Sequence, residues 1–284
     1  AYNAATDWDG GGVHITNSSV LLDGNTIAHN TAETNGGGVG IGTSSSLTVI
    51  QNDIIESNTA GWGGGLHISA AVEVEGNEIV SNQATENGGG IYIASGATIT
   101  DNLIDQNNSK SGGGIYINNS SPEISGNNRI TNNTAVSGGG IFIFLQYEGN
   151  APVLEGNIIT GNTASSDGGG MRINSNCSFT VSNNTIEENQ AGGHGGGACI
   201  SVVSHSGGDP YEITFEGNTF TANISSGNGG GIYLLSNYKL FLNDGNSFTE
   251  NNKYAVFVGS YSEVIDDGSN DYADNIPSKS NTSW

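Results

Sequence analysis

Four residues past the start of each of nine Gly-Gly-Gly triplets stand His14, Gly40, His67, Tyr92, Tyr116, Phe142, Arg172, Cys199 and Tyr233. If the chain around them is extended, their immediate neighbours point one way and these residues point the other. His67, Tyr92, Tyr116 and Phe142 then make an outward row of rings on successive units, with Arg172 next in line. Aromatic faces at regular spacing can stack on sugar rings, and a guanidinium can grip the carboxylate of an acidic sugar. These five residues form the candidate ligand-binding group. A structural reading explains the same row: outward rings on neighbouring strands stack to cover the sheet and shield glycine-rich backbone. It is the favoured of the two, because no catalytic residue converges beside the row.

Other chemistry has less support. Glycoside hydrolysis uses two carboxylates about 5 to 9.5 Å apart. Outward acids such as Glu56, Asp105, Glu187 and Glu188 are present, yet no Asp-Asp pair or Gly-His-Gly cluster lies in the extended stretches, and Asp266-Asp267 reads as a loop beyond the repeats. His14, His29, His67, His194 and His205 lack the spacing of metal ligands. No catalytic residue, metal site or cofactor is therefore assigned, and any calcium on the oxygen-rich surface would be incidental. Thr131, Thr160, Thr221 and Thr249 make a partial column of the ice-binding kind, but Glu187 interrupts it. Cys177 and Cys199 fall at different positions in their units, which predicts two free thiols.

Bulk composition narrows the partners. The chain has 284 residues, a formal charge of -22 and only six Lys or Arg residues. Neutralising phosphate takes cations, so nucleic acid and anionic membrane surfaces are poor partners. No stretch reaches the roughly 20 apolar residues of a membrane helix. The start, "AYNAATDWDGGG", carries no charged-then-apolar leader and reads as a mature form or an excised segment. The acidic, Asn/Gly/Ser/Thr-rich surface leans toward an extracellular or cell-surface location.

The candidate residues owe their positions to a repeat. Triplets begin at Gly10, Gly36, Gly63, Gly88, Gly112, Gly138, Gly168, Gly195 and Gly229, at spacings of 26, 27, 25, 24, 26, 30, 27 and 34 residues. Such a period marks a solenoid. Ile91-Tyr92-Ile93 and Ile115-Tyr116-Ile117 alternate with a period of two, and no 3.6-residue pattern persists, so the units are built of strands. Three short strands and three turns in about 25 residues predict one coil of a parallel β-helix. One asparagine column reads Asn25, Asp53, Asn77, Asn102, Asn128, Asn157, Asn184, Asn218 and Asn246; a second runs from Asn30 to Asn251. Asparagine suits left-handed corners, and stacked side-chain amides can bond from coil to coil. A small column, Ala32, Ala60, Ala84, Ser109, Ala135, Ala164, Ala191 and Ser225, is expected where the chain turns inward. Extra residues in "FLQYEGNAP" (144–152) and "VVSHSGGDP" (202–210) leave one edge and predict a ridge beside the row.

The repeat resembles the right-handed parallel β-helix family and, more narrowly, is similar to polymorphic outer-membrane protein repeats. The matching residues are Gly112-Gly-Gly-Ile115, Phe220-Thr-Ala-Asn223 and Phe248-Thr-Glu-Asn251, although most coils carry Ile in place of the Phe. Handedness is implied by this resemblance. Polysaccharide lyases of this architecture use a cationic base near carboxylates, whereas Arg129, Arg172, Lys110, Lys239, Lys253 and Lys279 are scattered here. The expected fold is all-β: a single-domain right-handed parallel β-helix, a solenoid of about nine to ten coils with asparagine ladders at its corners. Residues 1–258 are assigned to the coils and 259–284 to a polar segment capping the last one. The first coil lacks an obvious cap, which raises head-to-tail self-association as an expectation. The functional expectation is a non-catalytic extracellular adhesin, stalk or matrix component. The alternative is a carbohydrate-active protein engaging an extracellular polysaccharide along the ring row.

Overall fold

The computed structural model describes residues 3–5, 9–45, 48–203 and 210–275. Within them every regular element is a β-strand. One coil shows the pattern. Strands Asn108–Ser111, Ile115–Asn118, Glu123–Ser125 and Arg129–Thr131 follow one another along the chain. Each pairs in parallel with its counterparts one coil before and one coil after. Stacking yields four parallel sheets of 9, 10, 10 and 9 strands, called I to IV below in that order.

A coil therefore has four strands where the sequence spacing predicts three. The additional one is the small column: Thr134–Ser137, for example, holds Ala135 and pairs with strands on both sides. Small side chains hide the strand-like alternation, but the backbone there still needs partners, and the neighbouring coils supply them. The mean turn is roughly 27 residues over about nine turns. The 25-residue expectation describes the shorter coils, and corner insertions raise the mean.

Each glycine of the triplet meets a different constraint, as Gly112 to Gly114 illustrate. Gly112 has φ +65, the left-handed region that suits glycine. A Cβ on Gly113 would lie 2.4 Å from the Gly139 carbonyl oxygen and 2.5 Å from that of Thr134, both backbone atoms of the next coil. A Cβ on Gly114 would lie 3.0 Å from Asn133 Nδ2 and 3.0 Å from Ile130 Cγ2. At this corner the backbone between sheets I and II rests directly on the side chains of Ile130 and Asn133.

The asparagine columns are continuous ladders. Asn133 donates its backbone N–H and its Nδ2 to Asn162 Oδ1, at 2.9 and 3.0 Å, and Nδ2 also donates to the Ile104 carbonyl at 2.9 Å. Its own Oδ1 accepts the same two bonds from Asn107. The left-handed corner residue is the one preceding the ladder asparagine, as at Asp101, Gln106, Asn132 and Asn183, with φ between 52 and 55. The rung itself stays out of that region, because its backbone N–H must point along the stack.

Between the ladders lies the core. The inward residue of sheet IV reads Ile55, Ile79, Ile104, Ile130, Ile159, Ile186, Phe220 and Phe248, all fully buried. Burying such a side chain is worth about 1.5–3 kcal/mol. Sheets II and III contribute Ile91, Ile93, Ile115, Ile117 and Ile124 from their inner faces. Regular pairing runs past residue 258: strand Glu263–Asp266 joins sheet III, Asn270 accepts ladder bonds from Asn246, and Asn275 accepts them from Asn251. Tyr272 stacks on Phe248 at 5.3 Å, continuing the inward column. The polar segment assigned to 259–284 thus begins as a further rung, and a tyrosine in an isoleucine column conceals it. Residues 276–284 lie outside the described residues.

Candidate functional site

The outer face of sheet II carries the ring row. The in-register sequence is His67, Tyr92, Tyr116, Phe142, Arg172, Cys199, Tyr233 and Phe257. Alternation within each strand turns the flanking residues inward, so Ile115 and Ile117 anchor Tyr116 from below. All five candidate residues are brought onto one face.

Their rings do not lie flat on that face. His67 and Tyr92 are stacked at 4.9 Å with planes 6° apart, Tyr92 and Tyr116 at 5.4 Å and 4°, Tyr116 and Phe142 at 5.2 Å and 19°. The rung spacing of about 4.8 Å is close to ring-stacking distance, so neighbouring rings meet face to face along the molecule's axis. Both faces of Tyr92 and of Tyr116 are covered by neighbouring rings. The rings cover one another, and Tyr92 and Tyr116 do not present the open faces that the sugar-stacking alternative calls for.

Burial sets the chemistry of these groups. His67 is held down to about 4 because burial penalises the imidazolium, and Asp9 opposes this only in part. Its neutral ring suits the stack. Burial raises Tyr92, while the Asn118 amide donating to its hydroxyl at 2.7 Å works the other way. Tyr116 is raised chiefly by burial, and its hydroxyl has no hydrogen-bond partner among the described residues. Burial pushes the Cys199 thiol up to about 12 despite the adjacent Arg172.

Beyond the rings the row becomes polar. Arg172 donates through Nη1 to Cys199 Sγ and through Nη2 to Ser201 Oγ, the latter at 3.0 Å. Ser201 in turn donates to Asn174 Oδ1 at 2.6 Å. His194, just before a triplet, stacks on Tyr233 at 4.3 Å and accepts the Asn228 N–H on Nδ1 at 3.0 Å. Tyr233 stacks on Phe257 at 5.3 Å. Asn118, Asn174 and Ser201 were legible as the outward residues two places beyond the row. Phe257 escapes the triplet rule because Lys253, Tyr254 and Ala255 replace the glycines in its coil.

Elsewhere the expected groups stay apart. Glu56, Asp105 and Glu187 share one column of sheet IV, but Val80, Thr131 and Thr160 separate them. Asp105 is bonded to Thr131, Asn132 and Gln106. Glu73 and Glu123 flank Thr98 on sheet III, about 10 Å apart by rung spacing, beside a shallow groove. No cluster of three His, Cys, Asp or Glu side chains among the described residues has metal-binding geometry. Cys177 and Cys199 are both buried free thiols, the former donating to the Tyr147 carbonyl at 3.0 Å. That bond and Asn176 Nδ2 donating to the Gln146 carbonyl fasten the 144–152 insertion to the next coil. Residues 204–209 of the companion insertion, His205 included, lie outside the described residues.

Comparison with known protein families finds a match to the right-handed β-helix region, over residues 2–128 and 108–227. No curated protein and no solved structure matches the chain.

Proposed function

Because the chain belongs to the right-handed β-helix family, we propose that it is a non-catalytic extracellular or cell-surface scaffold, acting as a stalk, adhesin or matrix component. The observation that carries this reading is regularity: both ladders run from the first coils to Asn270 and Asn275, with a carboxylate at Asp53 in place of one amide. A structure whose coils are bonded to one another so regularly resists bending and exposes a long, acidic lateral surface. The narrower likeness to polymorphic outer-membrane repeats draws support from Phe220-Thr-Ala-Asn223 and Phe248-Thr-Glu-Asn251, where a buried ring stands three residues before a ladder asparagine.

Two measurements test the proposal. Incubation with a panel of extracellular polysaccharides should leave them intact, and new reducing or unsaturated ends would overturn the non-catalytic assignment. Antiserum against the folded protein should label intact cells of the source organism. Labelling only after permeabilisation would overturn the surface location.

A further inference from the structure

Arg172 makes no ion pair among the described residues. Its guanidinium has five N–H donors. Two are used, on Cys199 Sγ and Ser201 Oγ, and both acceptors are neutral. The thiol cannot act as a hidden anion, since burial keeps it protonated at neutral pH. Asp167, the nearest acid to act on Cys199 and Tyr233, has its Oδ1 on the His194 N–H at 2.8 Å and makes no ion pair with Arg172. The ion pair found among the described residues is Lys110 with Glu86, on another sheet. In a chain with 28 acidic residues, Arg172 is partly buried and makes no ion pair among the described residues.

The surroundings are ordered for an incoming acceptor. Arg172 and Asn174 lie two residues apart on strand Met171–Ser175, so both face outward. Ser201 donates to Asn174 Oδ1, which leaves the Asn174 amide N–H groups without an acceptor among the described residues. One rung earlier, Phe142 and Phe144 stand in register with Arg172 and Asn174. Hydrocarbon on one side and unspent N–H donors on the other call for an amphipathic ligand with a planar anionic end. A carboxylate matches the guanidinium fork with two parallel bonds. Its single charge also suits a molecule of net charge -22 better than a doubly charged phosphate or sulfate does.

We propose that Arg172 and Asn174 form a binding site for the carboxylate of a small ligand whose ring-shaped or apolar body rests against the half-buried Phe144. This site is independent of the scaffold reading, which stands whether or not the site exists.

The test is a titration of the full chain, labelled with nitrogen-15, following the side-chain Nε–H resonance of Arg172 at low ionic strength. Acetate, benzoate, glucuronate and sulfate serve as probes. Benzoate or glucuronate should shift that resonance saturably, with the dissociation constant falling at least about tenfold in going from acetate to the better ring-bearing acid. Benzoate winning would identify an apolar acid, and glucuronate a sugar acid; either supports the site. Followed through the Asn174 side-chain amide resonances, which these variants keep, Arg172→Gln should weaken binding by about tenfold or more, and Arg172→Lys by a smaller factor because the fork is lost. Should Arg172→Gln fail to fold, Asn174→Ala supplies the second variant and should weaken binding severalfold. A resonance that does not move with any carboxylate overturns the proposal, as does sulfate binding as tightly as the best carboxylate.

Discussion

At the scale of single residues, Asp53 stands out. It occupies an asparagine rung, with Oδ1 accepting both the backbone N–H and the Nδ2 of Asn25, while Oδ2 is buried and has no partner. Every neighbouring rung has an NH2 group there, as Asn77 does in bonding the Ile50 carbonyl and Asn102 Oδ1. Asp53→Asn should therefore bond Asn77 Oδ1 and the Leu22 carbonyl and raise stability by about 1–3 kcal/mol in urea denaturation. No gain would show that the orphaned oxygen is satisfied by other means. His67 supplies a pH signature. Its folded value near 4 lies below the unfolded value near 6.5, so between them the unfolded chain binds more protons. The contribution is fully present above about pH 6.5 and is lost as pH falls toward 4. His67→Phe keeps the stack and removes the titration, so its stability should fall less steeply than wild type across that window. Parallel curves would refute the assignment. The positions of both residues were readable from column alignment alone. Their bonding was not, because which oxygen lacks a partner and which face of a ring is covered depend on the neighbouring coil.

At the scale of elements, the triplet corner admits a sharp comparison. Gly113→Ala would place a Cβ against two carbonyls of the next coil, and backbone cannot step aside without breaking sheets I and II. A loss of about 3–5 kcal/mol is expected. Gly96→Ala is the control: its nearest neighbour would be the Ser121 oxygen at 4.0 Å, and its φ is not left-handed. That variant should be neutral or stabilise by about 0.4–1 kcal/mol. Equal melting temperatures for the two would mean that the corner is looser than its geometry. The sequence displayed sheets II, III and IV through alternating Ile and Val but hid sheet I, whose inward residues are Ala and Ser. Hydrophobic period reveals a strand only where its side chains are large enough to register as core. The ring row shows a related limit. Sequence gives the side of the sheet on which Tyr116 lies, while the tilt of its ring follows from rung spacing.

At the scale of the whole molecule, a rung such as Asn133 gives two bonds to the coil ahead and receives two from the coil behind, and the donor-to-acceptor sense is the same along both ladders. Asn102 and Asn128 occupy equivalent places, as do Ile104 and Ile130, or Ile91 and Ile115 with Ile141. Removing residues 102–127 would bring Asn77 against Asn128, Ile79 against Ile130 and Tyr92 against Phe142, each the kind of pair already present. The shortened chain should fold with a similar circular dichroism spectrum per residue and be about 4.8 Å shorter. Removing half as many residues should abolish folding, because ladder and core would fall out of phase. Survival of both deletions would contradict this account. The donor-to-acceptor sense of the ladders thus works as a ratchet on genetic change: recombination can add or drop a complete turn without redesigning either neighbour, and intermediate lengths are forbidden. Reach becomes a quantity counted in whole steps, adjustable by copy number alone.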